Sequence, residues 1–273
     1  MRQLKILLML LCLVPLSAKS FDCTAASHNV IHDIWISHGE MIVRRVDIYI
    51  PAGYENDSLP ALFLLAGING YEGSWQDLAS VIDTLDKQMA EGKCQPMMLI
   101  MPDNNKWPIK TRPISHGNLW KCVTHYSLLS REHDLELAII DLIDKLDTTY
   151  RITSCAIAGL SDGGRMAANA ANVRPDRLRT VALFSPVLFK DQLPKDKTQT
   201  YFVYVGTSDM FYQNGKRFHK RLEKEYYPHY YFEKKKGHHT WPMWRWCISD
   251  FLGRLTPPYF TNTRAVQPVH QEL

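Results

Sequence analysis

The chain has 273 residues, 45% of them apolar and 22% charged, with a formal net charge of +4. That length accommodates one large domain or two small ones, and that balance excludes a disordered or coiled-coil chain. Arg2, Lys5 and Lys19 supply most of the basic excess; without them the net charge is +1, and nothing in it points to nucleic acid as a partner.

The N-terminal segment stands apart from the rest of the chain. Arg2 and Lys5 precede the apolar run Ile6 to Leu16, and the small residues Ser17, Ala18 and Ser20 come after it. A basic head, a short apolar core and a small-residue exit describe a secretory signal peptide over residues 1–20. An N-terminal anchor that is never cut is the other reading. The run falls short of the roughly 20 residues a membrane span needs, and no later segment could cross a bilayer. Beyond the signal, five cysteines remain, an odd number, so at least one is unpaired. Cys155 lies in an apolar run and is expected to be a buried free thiol. Cys23–Cys247 and Cys94–Cys122 are both open as bridges, and no spacing suggests a metal site.

From residue 44 the chain alternates strands and helices. RRVDIYI (44–50) has the period-two pattern of a half-buried strand. ALFLL (61–65) and MMLIM (97–101) are continuous apolar runs, as in parallel strands covered on both faces. Between them, 75–92 reads as one helix ending at Gly92. Residues 103–130 lack periodicity yet hold Trp107, Trp120 and Tyr126, which leaves open a functional loop or a packed surface loop. A helix comes next over 131–150, with Leu135, Ile139, Leu142 and Leu146 at helical spacing. Then come a strand at 154–158, a helix from about 161 to 172, strands at 180–184 and 201–206, a charged helix near 213–226, a strand at 230–234 and a closing helix near 242–253. This rhythm predicts one α/β domain, 21–256, built on a doubly wound, mostly parallel sheet with helices on both faces. The polar tail 257–273 is expected to be loosely held.

One junction carries chemistry. Gly159-Leu160-Ser161-Asp162-Gly163 is a G-x-S-x-G motif at a strand-to-helix turn, the context of a nucleophile elbow. Without that context the motif marks only a glycine-rich turn. A serine hydroxyl needs a base, and the base an orienting carboxylate, in the chain order Ser, Asp or Glu, His. Asp209, just past the strand 201–206, is the candidate acid; Asp191 and Asp196 are weaker choices in a lysine-rich loop. His238 and His239 lie beyond the last strand, whereas His219 sits in a charged helix and His270 in the tail. Lys234, Lys235 and Lys236 read as a solvated strand end. Oxyanion donors are expected from the backbone amides of Asp162 and of Ile68, the latter in a glycine-rich loop after an early strand. Trp107, Trp120 and Trp241 are the candidate substrate-binding residues.

In their order, VDIYIPAGY, PALFLLAG, SW at 74–75, LIMPDNN, TTYRI, AIAGLSDGG, FSPVL, VGTSD and GHHTWPMW resemble the esterase D / enterochelin-esterase-like group of α/β hydrolases, across about residues 40–253. That group includes feruloyl and acetyl xylan esterases and mycolyltransferases. The resemblance implies the α/β-hydrolase fold, with Ser161 as nucleophile, Asp209 as acid and His239 as base. It selects His239 over His238 because Gly237, His239 and Trp241 match the family pattern. Together with the signal peptide it implies an exported serine carboxylic-ester hydrolase without metal or cofactor, acting on acetyl or feruloyl esters of polysaccharide or on a siderophore ester. An acyltransferase with the same triad and a non-catalytic binding relative are the rival readings. Three positions depart from the pattern: Ala66-Gly67 stands where the family usually has His-Gly, Asp162 where it commonly has Met, and His238 where it has a small residue. A carboxylate pointing into the oxyanion hole would disfavour an anionic intermediate.

Overall fold

The computed structural model describes residues 30–37, 42–104, 130–188 and 192–255. Among these, eight strands form one sheet in the order β1-β2-β4-β3-β5-β6-β7-β8. The strands are β1 (Val30–Ser37), β2 (Ile42–Tyr49), β3 (Leu59–Leu65), β4 (Met98–Pro102), β5 (Ile152–Leu160), β6 (Leu178–Phe184), β7 (Thr200–Gly206) and β8 (His229–Lys234). β1 pairs antiparallel with β2, and β2 antiparallel with β4. Every later pairing is parallel.

The expected doubly wound sheet is thus present, and the reason lies in strand composition. Every residue of β3, β4 and β7 is buried, which requires cover on both faces. Alternate side chains serve the two faces. Ala61, Phe63 and Leu65 join a core with α3 (Ser130–Thr149), α4 (Asp162–Val173) and α5 (Tyr212–Lys224). Leu62 and Leu64 join a second core with α1 (Ser74–Ala79), α2 (Val81–Ala90) and α6 (Trp241–Arg254). The chain leaves β3 for β4 on one side and returns to β5 on the other. This strand-order reversal opens a crevice at the carboxyl ends of the parallel strands, where α/β proteins bind ligands.

Three expectations are corrected. The helix expected over 75–92 is two helices, because Ser80 takes a left-handed conformation (φ 50°, ψ 48°). Gln76 makes that break stable: its Oε1 accepts the Ile82 N–H at 2.9 Å and so satisfies a donor at the start of α2. The break turns both Trp75 of α1 and Leu85 of α2 into one core. β1 was not anticipated. Along it, Ile34 shares a face with His32, and Trp35 with Asp33, so neither face carries a clean apolar alternation. Ile31 and Ile34 remain 42% and 54% exposed on this edge hairpin, while Trp35 is buried. Finally, Cys94, Cys155 and Cys247 are all free and buried, so neither suggested bridge forms. Residues 1–20 and 257–273, read as signal and tail, lie outside the described residues.

Candidate active site

Ser161 joins β5 to α4 with φ 54° and ψ −118°, a backbone conformation that L-residues seldom adopt. The surroundings enforce it. The Ser161 N–H donates to the Phe184 carbonyl at 2.9 Å, and its carbonyl accepts from Val187 N–H at 3.1 Å and Gly164 N–H at 3.1 Å. The flanking glycines are sterically required. A Cβ on Gly159 would stand 2.1 Å from the Gly163 carbonyl oxygen, and one on Gly163 would stand 2.3 Å from the Ala66 carbonyl oxygen. The turn therefore packs α4 directly onto the ends of β5 and β3 and lifts the Ser161 hydroxyl into the crevice.

The candidate base and acid arrive from the next loops along the sheet. Asp209 comes just after β7 and His239 just before α6. The two loops are stitched together: Ser208 N–H donates to Gly237 O at 2.9 Å, and Lys236 N–H to Thr207 Oγ1 at 2.9 Å. His239 Nε2 lies 2.9 Å from Ser161 Oγ, and its Nδ1 lies 3.1 and 3.0 Å from the two Asp209 carboxylate oxygens. A hydrogen on Nδ1 donates to the carboxylate, which leaves the Nε2 lone pair facing the serine hydroxyl. The imidazole is held edgewise by Phe211 and Trp244, at centroid distances of 5.0 and 4.9 Å. Its neighbour His238 is exposed to solvent.

Burial pushes the Asp209 carboxyl up, but the hydrogen bond and charge of His239 and the Phe211 amide outweigh it. The group stays below the ordinary carboxylate value of 3.8. The Phe211 N–H donates to Asp209 Oδ1 at 2.7 Å. Asp209 is therefore an anion at neutral pH, able to orient the imidazole and to stabilise its protonated form.

Known proteins share this architecture. The "Putative esterase" family matches residues 42–255. The chain belongs to that family. It is 25% identical over 199 residues to an endo-1,4-beta-xylanase/feruloyl esterase of Xylanibacter ruminicola, covering 68% of this chain. The match covers 25% of that protein, so the chain spans about a quarter of that relative's length. A CE1 ferulic acid esterase from the anaerobic fungus Anaeromyces mucronatus superposes with a TM-score of 0.67 at 19% identity, over 86% of this chain and 94% of the other. An S-formylglutathione hydrolase from Staphylococcus aureus gives 0.61 at 15% identity, over 82% and 94%. These structures and this esterase-family chain share the α/β-hydrolase fold.

The loop after β3, expected to supply an oxyanion donor, is held in this esterase-family member by a residue that sequence reading missed. Asn104, 3% exposed and just past β4, brackets the Ala66 peptide groups. Its Oδ1 accepts the Ala66 N–H at 2.9 Å, and its Nδ2 donates to the Ala66 carbonyl at 2.8 Å. Gly67 then passes over the elbow, where a Cβ would lie 3.3 Å from that of Ser161. Ile68 comes next, half-buried. Asn104 sits in LIMPDNN, but its partner is 38 residues away, so only the β3–β4 pairing reveals the bracket. Asp162, the other predicted donor, is the first residue of α4. Its carboxylate does not float free: Arg165 Nε donates to Asp162 Oδ1 at 2.9 Å.

Trp241 opens α6 partly buried, with its ring edge-on to Trp75 and Trp244 at 5.7 and 5.2 Å. It thus belongs to the aromatic stack that backs His239. Trp107 and Trp120 lie outside the described residues.

Proposed function

We propose that this chain is an exported serine carboxylic-ester hydrolase. The observation that carries the reading is the continuous hydrogen-bonded chain from Ser161 Oγ through His239 to Asp209, at 2.9 and 3.0 Å, starting from a strained elbow. Ser161 Oγ attacks the ester carbonyl while His239 Nε2 takes its proton. The backbone amides of Asp162 and Ile68 hold the oxyanion. The imidazolium returns the proton to the leaving alcohol, and water, deprotonated by the same histidine, releases the acid.

The substrate class is an acetyl or hydroxycinnamoyl ester, such as a feruloyl group on plant polysaccharide. The activities of the Xylanibacter ruminicola relative and of the ferulic acid esterase support that choice. Export is inferred from the basic-apolar-small pattern of residues 1–20. Among the described residues no helix is long and apolar enough to cross a membrane.

The test is labelling with a fluorophosphonate, with the adduct located by mass spectrometry, and then hydrolysis of methyl ferulate and of p-nitrophenyl acetate. A single adduct on Ser161, absent from Ser161→Ala and His239→Ala, with turnover of either ester, is the expected result. Folded wild-type protein that takes no label would overturn the reading.

A further inference from the structure

This esterase-family chain carries a carboxylate where an anion-stabilising site least tolerates one. The Asp162 amide is a proposed oxyanion donor, and the carboxylate hangs from the same residue. The structure gives that carboxylate a fixed partner. Arg165 lies three residues on, the helical spacing that brings side chains onto one face. Its side chain is 3% exposed, and its Nε donates to Asp162 Oδ1 at 2.9 Å. Its Nη1 reaches Glu136 Oε1 of α3 at 3.4 Å. Glu136 also accepts from Asn169 Nδ2, and Asn169 Oδ1 accepts from Gln192 Nε2 at 2.8 Å. The arginine is thus anchored on the far side by a buried polar row running from α3 along α4.

We propose that Arg165 is a positioning residue of the esterase site: by gripping the Asp162 carboxylate it keeps negative charge out of the oxyanion hole. This role rests on the hydrolase reading of the site. A buried carboxylate seeks donors, and without Arg165 a rich supply is at hand in the amides prepared for the substrate oxyanion. Its charge would then oppose the charge that develops on the substrate, in surroundings that screen poorly. With Arg165 in place the carboxylate has a cationic partner, shared with Glu136, and is turned along the helix. The departure at Asp162 and the arginine one helical turn later are two halves of one arrangement.

A double-mutant cycle tests it, read as the rate at which a fluorophosphonate phosphonylates Ser161 with loss of fluoride and as kcat for p-nitrophenyl acetate, on protein shown to be folded by circular dichroism. Arg165→Gln in the otherwise native chain is expected to slow phosphonylation about 10²-fold, the effect of losing one oxyanion donor. In the Asp162→Asn background the same substitution is expected to change the rate by less than about threefold, because no carboxylate remains to be restrained. A purely structural arginine would lower the melting temperature in both backgrounds and leave both phosphonylation rates alike, and equal losses in the two backgrounds overturn the proposal. Should Arg165→Gln fail to fold, Arg165→Lys replaces it in the same cycle: a several-fold loss only where Asp162 is present supports the proposal, and equal rates or equal losses refute it. If the native chain itself takes no label, the hydrolase reading fails; if it labels and Arg165→Gln labels as fast, only the arginine's role does.

Discussion

Replacing Asn104 by alanine tests how the proposed oxyanion loop is fixed. The Asn104 amide makes two hydrogen bonds to the backbone of Ala66, at 2.9 and 2.8 Å, in a fully covered position, and its Nδ2 also lies 3.5 Å from the Met166 sulfur. Truncation leaves one buried N–H and one buried C=O without these partners. Each such group costs about 1–3 kcal/mol, which gives a loss of about 3 kcal/mol if the loop relaxes partway. For a domain of this size that corresponds to a fall of about 6–12 °C in melting temperature. Turnover should fall further than stability accounts for, since Gly67 rests on Ser161 and Ile68 is the next residue. A displaced amide loses oxyanion stabilisation of about 10²-fold in kcat, with KM nearly unchanged, because the ground-state carbonyl makes little use of that donor. The assays are thermal unfolding, steady-state hydrolysis of p-nitrophenyl acetate, and inhibition by phenylboronic acid, whose tetrahedral adduct places an oxygen in the oxyanion hole. Asn104→Asp sharpens the test: it keeps an acceptor for the Ala66 N–H but sets a carboxylate against the Ala66 carbonyl, and should do no better than alanine. A melting temperature within about 2 °C of wild type, or a large stability loss with kcat and boronate affinity intact, would refute the reasoning.

The same site yields further predictions. Asp209→Asn should lower kcat by about 10⁴-fold while the fold persists, because an amide in place of the carboxylate favours the wrong histidine tautomer; near-wild-type turnover would remove Asp209 from the mechanism. The Asp209 carboxyl is held below 3.8, so its contribution to stability is complete above that pH and is lost as pH falls through the folded-state value; Asp209→Asn should therefore flatten the acid-unfolding curve only below about pH 4, and an unchanged curve there counts against the ion pair. Ser161→Gly should be more stable than Ser161→Ala by about 1–2 kcal/mol, since only glycine relaxes at φ 54°; equal melting temperatures would mean that the elbow stores no strain. Burial pushes the Cys94 thiol up to about 12 and raises those of Cys155 and Cys247 as well. Native protein at about pH 8 should therefore resist iodoacetamide at all three until it is unfolded, and rapid alkylation of any of them would contradict their burial.

The features legible in the sequence are those carried by local composition. Continuous apolar runs such as ALFLL have to be central strands, and the sheet contains them as such. The small residues around Ser161 can be read forward because the backbones pack so closely that a Cβ on Gly159 would stand 2.1 Å from the Gly163 carbonyl oxygen, which admits only glycine. The order of Ser161, Asp209 and His239 is likewise readable, since each lies beside a recognisable strand. The choice of His239 over His238 is not local: adjacent residues of one loop point apart, and only the family pattern separated them. β1 escaped notice because an edge strand pays little penalty for exposing Ile31 and Ile34, so its pattern is weak. The break at Ser80 depends on the Gln76 side chain satisfying Ile82, a contact that helical periodicity does not encode.

The residues proposed to tune the site were the least legible, and the reason is physical. Asn104 acts on Ala66 across 38 positions and Glu136 on Arg165 across 29, so neither leaves a spacing signature. The Asp162–Arg165 pair is the exception, with both members in SDGGR at helical spacing. A carboxylate at the first residue of the helix looks, in isolation, like an ordinary favourable charge at a helix N-terminus. It becomes a liability only once that same N-terminus is also assigned to an oxyanion. An unusual acid beside a nucleophile is therefore informative when a basic residue stands one turn further on. The pair keeps the helix-start charge that favours folding and withholds it from the centre where negative charge has to develop.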